Sequence, residues 1–301
     1  MIDISNKIET LRSAVAESRV IAKKETIQRV VRGDTPKGDV LNVARAAAVL
    51  AVKKTPELIP YCHPLMIDAV SVQFDVQETQ IVIRVEAKCV GKTGVEMEAL
   101  AGAMVAALNI YDMTKGIDKD VVIGESKLLE KHGGKSDFQE TFLKPLLTAV
   151  LVSSDSVSQG KKSDKSGKII QETLKKFPLD VAHYEIVPDE KKKIQEKISQ
   201  WIESGVRLVV TTGGTGLGPR DVTVEAVKEI IDREVTGAAE AMRAFGQRRT
   251  PYAMLSRSIV GIKNQSLIIT LPGSSNGVKE GLAALFPNIL HAFNMMGGGG
   301  H

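Results

Sequence analysis

The sequence predicts two domains: an α+β domain with helices on an antiparallel sheet, then an α/β domain with a doubly wound, mostly parallel sheet. Three observations lead there. The chain has 301 residues, enough for two separate cores. Its hydrophobic periodicity changes near the middle. From Thr148 onward, strand-like and helix-like segments alternate.

In the first half, Asp39 is placed to cap a helix running through VLNVARAAAVLAVKK to about Lys54. Segments VSVQFDV (70–76) and QIVIRVEAKC (80–89) alternate in polarity across a short polar turn and predict an antiparallel hairpin. A long helix is expected over 95–115, where Met97, Leu100, Ala101, Met104, Val105 and Leu108 recur at helical spacing. In the second half the expected strands are TAVLVSS, VAHYEIV, RLVVTTGG and SLIITLPGS. The expected helices are SGKIIQETLKKF, DEKKKIQEKISQWIES, TVEAVKEIIDRE and NGVKEGLAALFPNILHAF. The stretch GGKSDFQETFLKP has Gly, Pro and no period. The expected domains are therefore 1–138 and 148–296, with a linker at 139–147 and a tail at 297–301.

Composition narrows the function. Apolar residues make up 43% and charged residues 25%, the balance of a soluble globular chain. No apolar run approaches the ~20 residues needed to span a bilayer, and MIDISNKIET offers no signal-like apolar stretch. Cys62 and Cys89 make no disulfide framework, so a cytoplasmic location is expected. Lys plus Arg balance Asp plus Glu at 20 each over residues 1–147, and exceed them by 20 to 16 in the remainder. With one Trp and four Tyr there is neither a basic tract nor a stacking platform. Nucleic acid and membrane are not expected as partners; small phosphorylated molecules suit the chain better.

Four short segments of the first half can carry chemistry. Lys37-Gly38-Asp39 precedes a helix, so Lys37 is either a surface lysine before a cap or a group that reaches an anion at the helix start. In LIPYCHPLM, Pro64 forces His63 out of helical geometry. His63 then serves as a structural or a functional imidazole, and no second Cys/His cluster stands at zinc-site spacing. In VGKTGVEMEALAGA, Glu86 occupies the place of the first glycine of a phosphate loop, so that reading fails. Glu96 and Glu98 straddle Met97 there, either as helix-start carboxylates or as ligands of a substrate. Asp112 and Lys115 share a helix face, as an ordinary ion pair or as an acid/base pair. A lysine base would need its pKa lowered from ~10.4 to ~7.5, with Lys37 supplying part of the repulsion.

Together KGDVLNVAR, LIPYCHPL, GKTGVEMEAL, KGIDKDVVIG and KHGGKS resemble the MoaC family over residues 1–138. The resemblance implies conversion of a cyclised guanosine triphosphate derivative to cyclic pyranopterin monophosphate, with release of diphosphate and no cofactor. It implies Lys37 and Lys115 as catalytic lysines and Asp112 as the acid. Cys62, His63, Met97 and Glu98 match substrate-binding positions, and Arg12, Glu96 and Lys131 further pocket positions. Tyr61, a pocket position too, departs from the Leu common there, and His132 from a common Ser. The family's hexamers place sites at subunit interfaces.

In the second half, TTGGTGLGPRDVTVEA (211–226) follows a strand and opens a helix, where ligands bind in an open α/β sheet. Gly213, Gly214, Thr215 and Gly216 can bring backbone N–H groups to an anion, although GxGxG matches neither a dinucleotide fingerprint nor a Walker motif. Asp155, Asp189 and Asp221 sit beyond strands, as turn residues or, if they converge, as a Mg²⁺ site with a triphosphate. LPGSSNG puts Ser274 at another helix entrance.

With VSSDSVSQGKKSDKSG, VPDE and MLSRSIVGIKNQSLIITLPGS, these segments resemble the MogA/MoaB family over about 148–296. That implies Mg²⁺-dependent transfer of AMP from ATP to molybdopterin. Asp189 and Asp221 match its essential acidic positions and metal ligands, and 213–216 its nucleotide and pterin cradle. Ser275 and Asn276 replace a Pro and a Lys common in the family. The alternative for this half is a non-catalytic pterin-binding or oligomerising module. MogA-like domains commonly form trimers, so a homo-hexamer or another trimer-based assembly is expected.

Overall fold

In the computed structural model, which describes residues 1–298 apart from the Lys135 side chain, the chain divides at Phe138 into two units. Of the expected tail, residues 299–301 lie outside the described residues.

The first unit runs β1 (Thr10–Ile21), α1 (Lys24–Arg32), α2 (Val40–Leu58), β2 (Ala69–Val76), β3 (Gln80–Gly91), α3 (Glu96–Thr114) and β4 (Val122–His132). Its sheet has the order β2-β3-β1-β4 and is antiparallel throughout. The hairpin and both long helices stand where the sequence placed them. Asp39 caps α2 by accepting from the Asn42 amide at 3.1 Å. α2 runs four residues beyond Lys54, with Pro56 in its last turn.

β1 was not expected, yet it pairs with strands on both sides. Its inward positions are Ala14, Ala16, Ser18 and Val20, opposite Ala87, Val85, Ile83 and Ile81 of β3. Ala and Ser on the buried face leave little period-2 contrast to read. β4 is hidden for another reason: it is a charged edge strand, with Glu125, Lys127, Glu130 and Lys131. Small residues recur on the helices, at Ala44 and Ala48 of α2 and Ala99, Gly102, Ala103 and Ala106 of α3. They let α3 approach α2 and the sheet closely. A β carbon at Gly102 would come within 2.7 Å of Val52 and 3.0 Å of Val85.

The second unit continues with β5 (Leu146–Ser153), α4 (Asp155–Ser158), α5 (Ser166–Leu174), β6 (Leu179–Val187), α6 (Lys191–Glu203), β7 (Leu208–Thr212), α7 (Thr223–Ile230), β8 (Arg233–Glu234), α8 (Thr236–Gln247), β9 (Val260–Lys263), β10 (Ser266–Leu271), α9 (Ser275–Leu285) and α10 (Ala292–Met296). The sheet order is β6-β5-β7-β10-β9-β8. β6, β5, β7 and β10 are parallel, whereas β9 and β8 add an antiparallel edge. Strict alternation therefore fails after β7. The segment expected as helix 223–234 gives up Arg233–Glu234 to the edge strand, and α8 was not anticipated. The expected last helix is broken: α9 stops at Leu285, ahead of Pro287. Residues 139–145 carry no helix or strand, but they are held within this unit. Glu140 receives Nδ1 of His291 at 2.6 Å, and Phe142 meets Phe293 edge-on at 6.2 Å. The single Trp, Trp201 of α6, is buried and stacks on His183 of β6 at 5.8 Å.

The close seam around Gly102 predicts a measurable intolerance. Gly102→Val should lower stability by about 1–3 kcal/mol through overpacking, read as a lower urea midpoint; an unchanged midpoint would show that α3 can shift without cost.

Candidate functional site

In the first unit, α3 carries candidate residues at both ends. Near its C-terminus Asp112 receives Lys115 Nζ on Oδ1 at 2.7 Å and Lys37 Nζ on Oδ2 at 2.5 Å; Lys37 also bonds the Asp112 carbonyl at 3.0 Å. Lys37 comes from the turn before α2, so the cluster joins two segments 75 residues apart in sequence. Lys115 first, and Lys37 second, hold the Asp112 carboxyl down at about 2. In return Asp112 raises the pKa of Lys115. A lysine base near neutrality needs the opposite shift. Two ammonium groups on one carboxylate make a protonated donor and an anion-binding pair instead.

At the N-terminal end of α3 a cavity of about 500 Å³ is bounded by Tyr61, Cys62, His63, Glu96, Met97 and Glu98, together with Met1, Ile2 and Lys7. His63 Nε2 lies 2.9 Å from the Ile2 carbonyl oxygen, which accepts if that nitrogen carries the proton. Glu98 is buried, and desolvation followed by the charge of Glu96 pushes its pKa up. The Cys62 thiol is raised by burial and by Glu98. Lys131 of β4 pairs with Glu96 at 3.3 Å. Arg12 of β1 is buried and donates to the Gly91 carbonyl at 3.3 Å. The structure thus gathers most of the predicted pocket residues, but not with Lys37 and Lys115. Glu98 and Asp112 are fourteen residues apart on one helix, about 21 Å at 1.5 Å per residue.

In the second unit, β5, β7 and β10 end side by side beneath two adjoining cavities that share Gly214 and Gly273. The larger, about 760 Å³, is lined by Gly214, Thr215, Gly216, Asp221, Ser274 and Asn276, and also by Arg243, Arg249 and Tyr252. The smaller, about 350 Å³, is lined by Ser153, Ser154, Lys162, Ser166, Asp189 and Gly213. Gly213 and Gly214 have φ of +94° and +62°, and a β carbon on Gly213 would lie 2.0 Å from the Ser153 carbonyl oxygen. Asp221 accepts from the Gly218 amide at 2.8 Å on Oδ2. Ser274 caps α9, accepting from the Gly277 amide at 3.1 Å. Asp189 accepts from Ser153 Oγ at 2.6 Å and from the Asp155 amide at 3.0 Å.

Asp155, Asp189 and Asp221 do not converge. Among the described residues no group of three or more His, Cys, Asp or Glu is placed to hold a metal. The Asp155 carboxylate is taken up by Arg220, which lowers its pKa. Asp189 and Asp221 border different cavities along one glycine wall. Mg²⁺ needs only one or two carboxylates when substrate phosphates complete its shell, so this donor set fits a phosphate-bound ion and does not form a protein cage.

Residues 1–134 match the MoaC family, and residues 149–291 match the family described as "Probable molybdopterin binding domain". A molybdenum cofactor biosynthesis bifunctional protein from Chlorobaculum tepidum is 40% identical over 301 residues, which is 100% of this chain and 96% of that one. The chain belongs to the bifunctional proteins of molybdenum cofactor biosynthesis.

Over its first half this bifunctional protein is also 50% identical to a cyclic pyranopterin monophosphate synthase from Roseiflexus sp., covering 45% of this chain and 87% of that one. A solved structure of the molybdopterin biosynthesis enzyme MoaB from Thermus thermophilus is 43% identical, covering 51% of this chain and 97% of that one, with a TM-score of 0.49.

Sequence reasoning missed several arginines of the bifunctional protein. Arg257 donates to the Gly216 carbonyl at 2.7 Å and the Asp221 carbonyl at 2.8 Å, pinning the glycine loop from a distant segment. Nothing local in the sequence signals that contact. Arg220 was legible only as the neighbour of Asp221.

The Asp112 cluster predicts a titration. A carboxyl with a depressed pKa contributes its full stabilisation above its unfolded value near ~3.9, and loses it progressively as pH falls from there through about 2. Carbon-13 NMR should give Asp112 a midpoint of about 2. Lys115→Ala should move that midpoint upward, and an unmoved one would contradict the pairing.

Proposed function

We propose that the two units carry separate reactions, bounded as residues 1–138 and 148–296. The first converts a cyclised dihydro-GTP derivative to cyclic pyranopterin monophosphate and diphosphate, using protein side chains alone. The second transfers AMP from ATP to molybdopterin and releases diphosphate. The observation that carries this reading is full-length similarity to a bifunctional relative.

In the first reaction Lys37 and Lys115 bind the charged phosphates, and Lys115, held protonated by Asp112, gives up a proton to a leaving or ring atom. Cys62, His63, Met97 and Glu98 contact the pterin-forming end, with Tyr61, Glu96, Arg12 and Lys131 as further pocket residues. The separation of about 21 Å along α3 supports a site completed by a second copy of the chain. We infer a homo-hexamer or another trimer-based assembly in the cytoplasm, with neither nucleic acid nor membrane as partner. Among the described residues no helix is long and apolar enough to cross a membrane.

In the second reaction Gly213, Gly214, Thr215 and Gly216 cradle phosphate with backbone N–H groups, and Ser274 lines the neighbouring helix start. Asp189 and Asp221 would hold Mg²⁺ together with the ATP phosphates, where the ion would offset negative charge on the oxygens of the attacked phosphate.

Two variants assayed for both reactions test the division. Lys115→Ala should abolish cyclic pterin formation and leave AMP transfer intact. Asp221→Asn should slow AMP transfer on the order of a hundredfold or more, the scale of a lost metal contact, and leave the first reaction intact. Normal first-domain turnover in folded Lys115→Ala, or wild-type AMP transfer in Asp221→Asn, would overturn the respective assignment. Light scattering should report a trimer or hexamer; a stable monomer at micromolar concentration would exclude the shared site.

A further inference from the structure

One guanidinium connects the loops that carry the two acidic positions of the second site. Arg220 directly precedes Asp221 and reaches Asp155, with Nε 3.0 Å from Oδ2 and Nη2 2.9 and 2.8 Å from the two carboxylate oxygens. Asp155 is in turn locked to Asp189. The Asp155 amide donates to Asp189 Oδ2 at 3.0 Å, and the Asp189 amide donates to Asp155 Oδ1 at 3.0 Å. The contacts therefore run from Asp221 through Arg220 and Asp155 to Asp189, and every link is covalent or hydrogen-bonded.

Resting on the adenylyl-transfer reading above, we propose that Arg220 is a positioning residue. Clamped on Asp155, it sets where Asp221 stands relative to Asp189 across the glycine wall, and so where a nucleoside triphosphate and its cation are held. Asp155 serves as the intermediary and does not contact substrate. The chemistry suits the task. A planar guanidinium gripping a carboxylate on both oxygens fixes direction as well as distance, which an ammonium cannot do. The pair is half open to solvent, with side-chain exposures of 62% and 34%, so it adds little to global stability. Its loss should appear in site geometry before it appears in melting temperature.

The test uses the full chain with Arg220→Ala, Arg220→Lys, Asp155→Asn and the Arg220→Ala/Asp155→Asn double variant. Asn at 155 still accepts the Asp189 amide, so that grip survives while the charge partner of Arg220 is lost. Each single variant should lower kcat for AMP transfer by about 10- to 100-fold, the scale of misplacing a reacting group by ~1 Å. KM for Mg-ATP should stay within about threefold. Lys should serve no better than Ala at 220. The double variant should be no worse than the poorer single one, because both act through one link. Effects that multiply, or a raised KM at unchanged kcat, would overturn the proposal and make Arg220 a direct contact of the nucleotide. Amide exchange over 216–221 in the ligand-free protein separates this proposal from the functional reading. Should the unaltered chain transfer no AMP, that reading fails, and exchange alone decides. Protection at the Gly218 amide should fall about tenfold in Arg220→Ala, on the scale of one lost hydrogen-bonded link, and unchanged protection would overturn the positioning role.

Discussion

At Gly213 a β carbon would stand 2.0 Å from the carbonyl oxygen of Ser153, and the second site is arranged around that contact. β5 and β7 are parallel neighbours whose register pairs Val152 with Thr212, so both strands end at one level. The chain leaves β7 through two residues with positive φ, which turn it across the strand ends. Only a residue without a side chain passes there. Thr212 Oγ1 donates to the Pro272 carbonyl at 2.7 Å, drawing the end of β10 into the same wall. Ser153, on the other side of the contact, presents its hydroxyl to Asp189. Cradle, carboxylate and helix entrances thus share one backbone reference.

The first unit meets its constraint differently, with small residues spread along a seam. Ala44, Ala48, Ala99 and Ala103 are fully buried, and each contributes little burial energy beside a Val or Ile. What they permit is proximity, which keeps α3 fixed against α2 and the sheet. The helix then holds two carboxylates in opposite electrostatic states. Glu98, desolvated at one end, has a raised pKa, and Asp112, open to solvent between two lysines, has a lowered one.

Legibility in the sequence followed contrast. The hairpin over 70–89 shows because large apolar residues alternate with polar ones at the correct period, and the helix after Asp39 shows by its cap. The helix after Val95 is placed by the spacing of Met97, Met104 and Leu108, yet these are exposed, and its buried side is mostly Ala and Gly. β1, which lies inside the sheet, was silent because its inward side is mostly Ala and Ser, with Val20 the one larger residue. The antiparallel strands β8 and β9 are two and four residues long, too short for any period to register. In the sites, Asp112 and Lys115 could be paired from spacing alone, whereas Lys37 arrives from 75 residues away. The same holds for Arg220 and Asp155, 65 residues apart. Motif resemblance supplied the residue types of each site, but a shared motif says nothing of which charge neutralises which.

Trp201 has a consequence for observing this two-domain chain. It is the only indole present, and it lies buried against the His183 ring within the second domain. Fluorescence excited at the red edge of aromatic absorption, where tyrosine is dark, therefore reports the second domain's packing and is blind to the first. Beside far-ultraviolet circular dichroism, which sums both, that emission gives each half of the chain its own optical voice without any label.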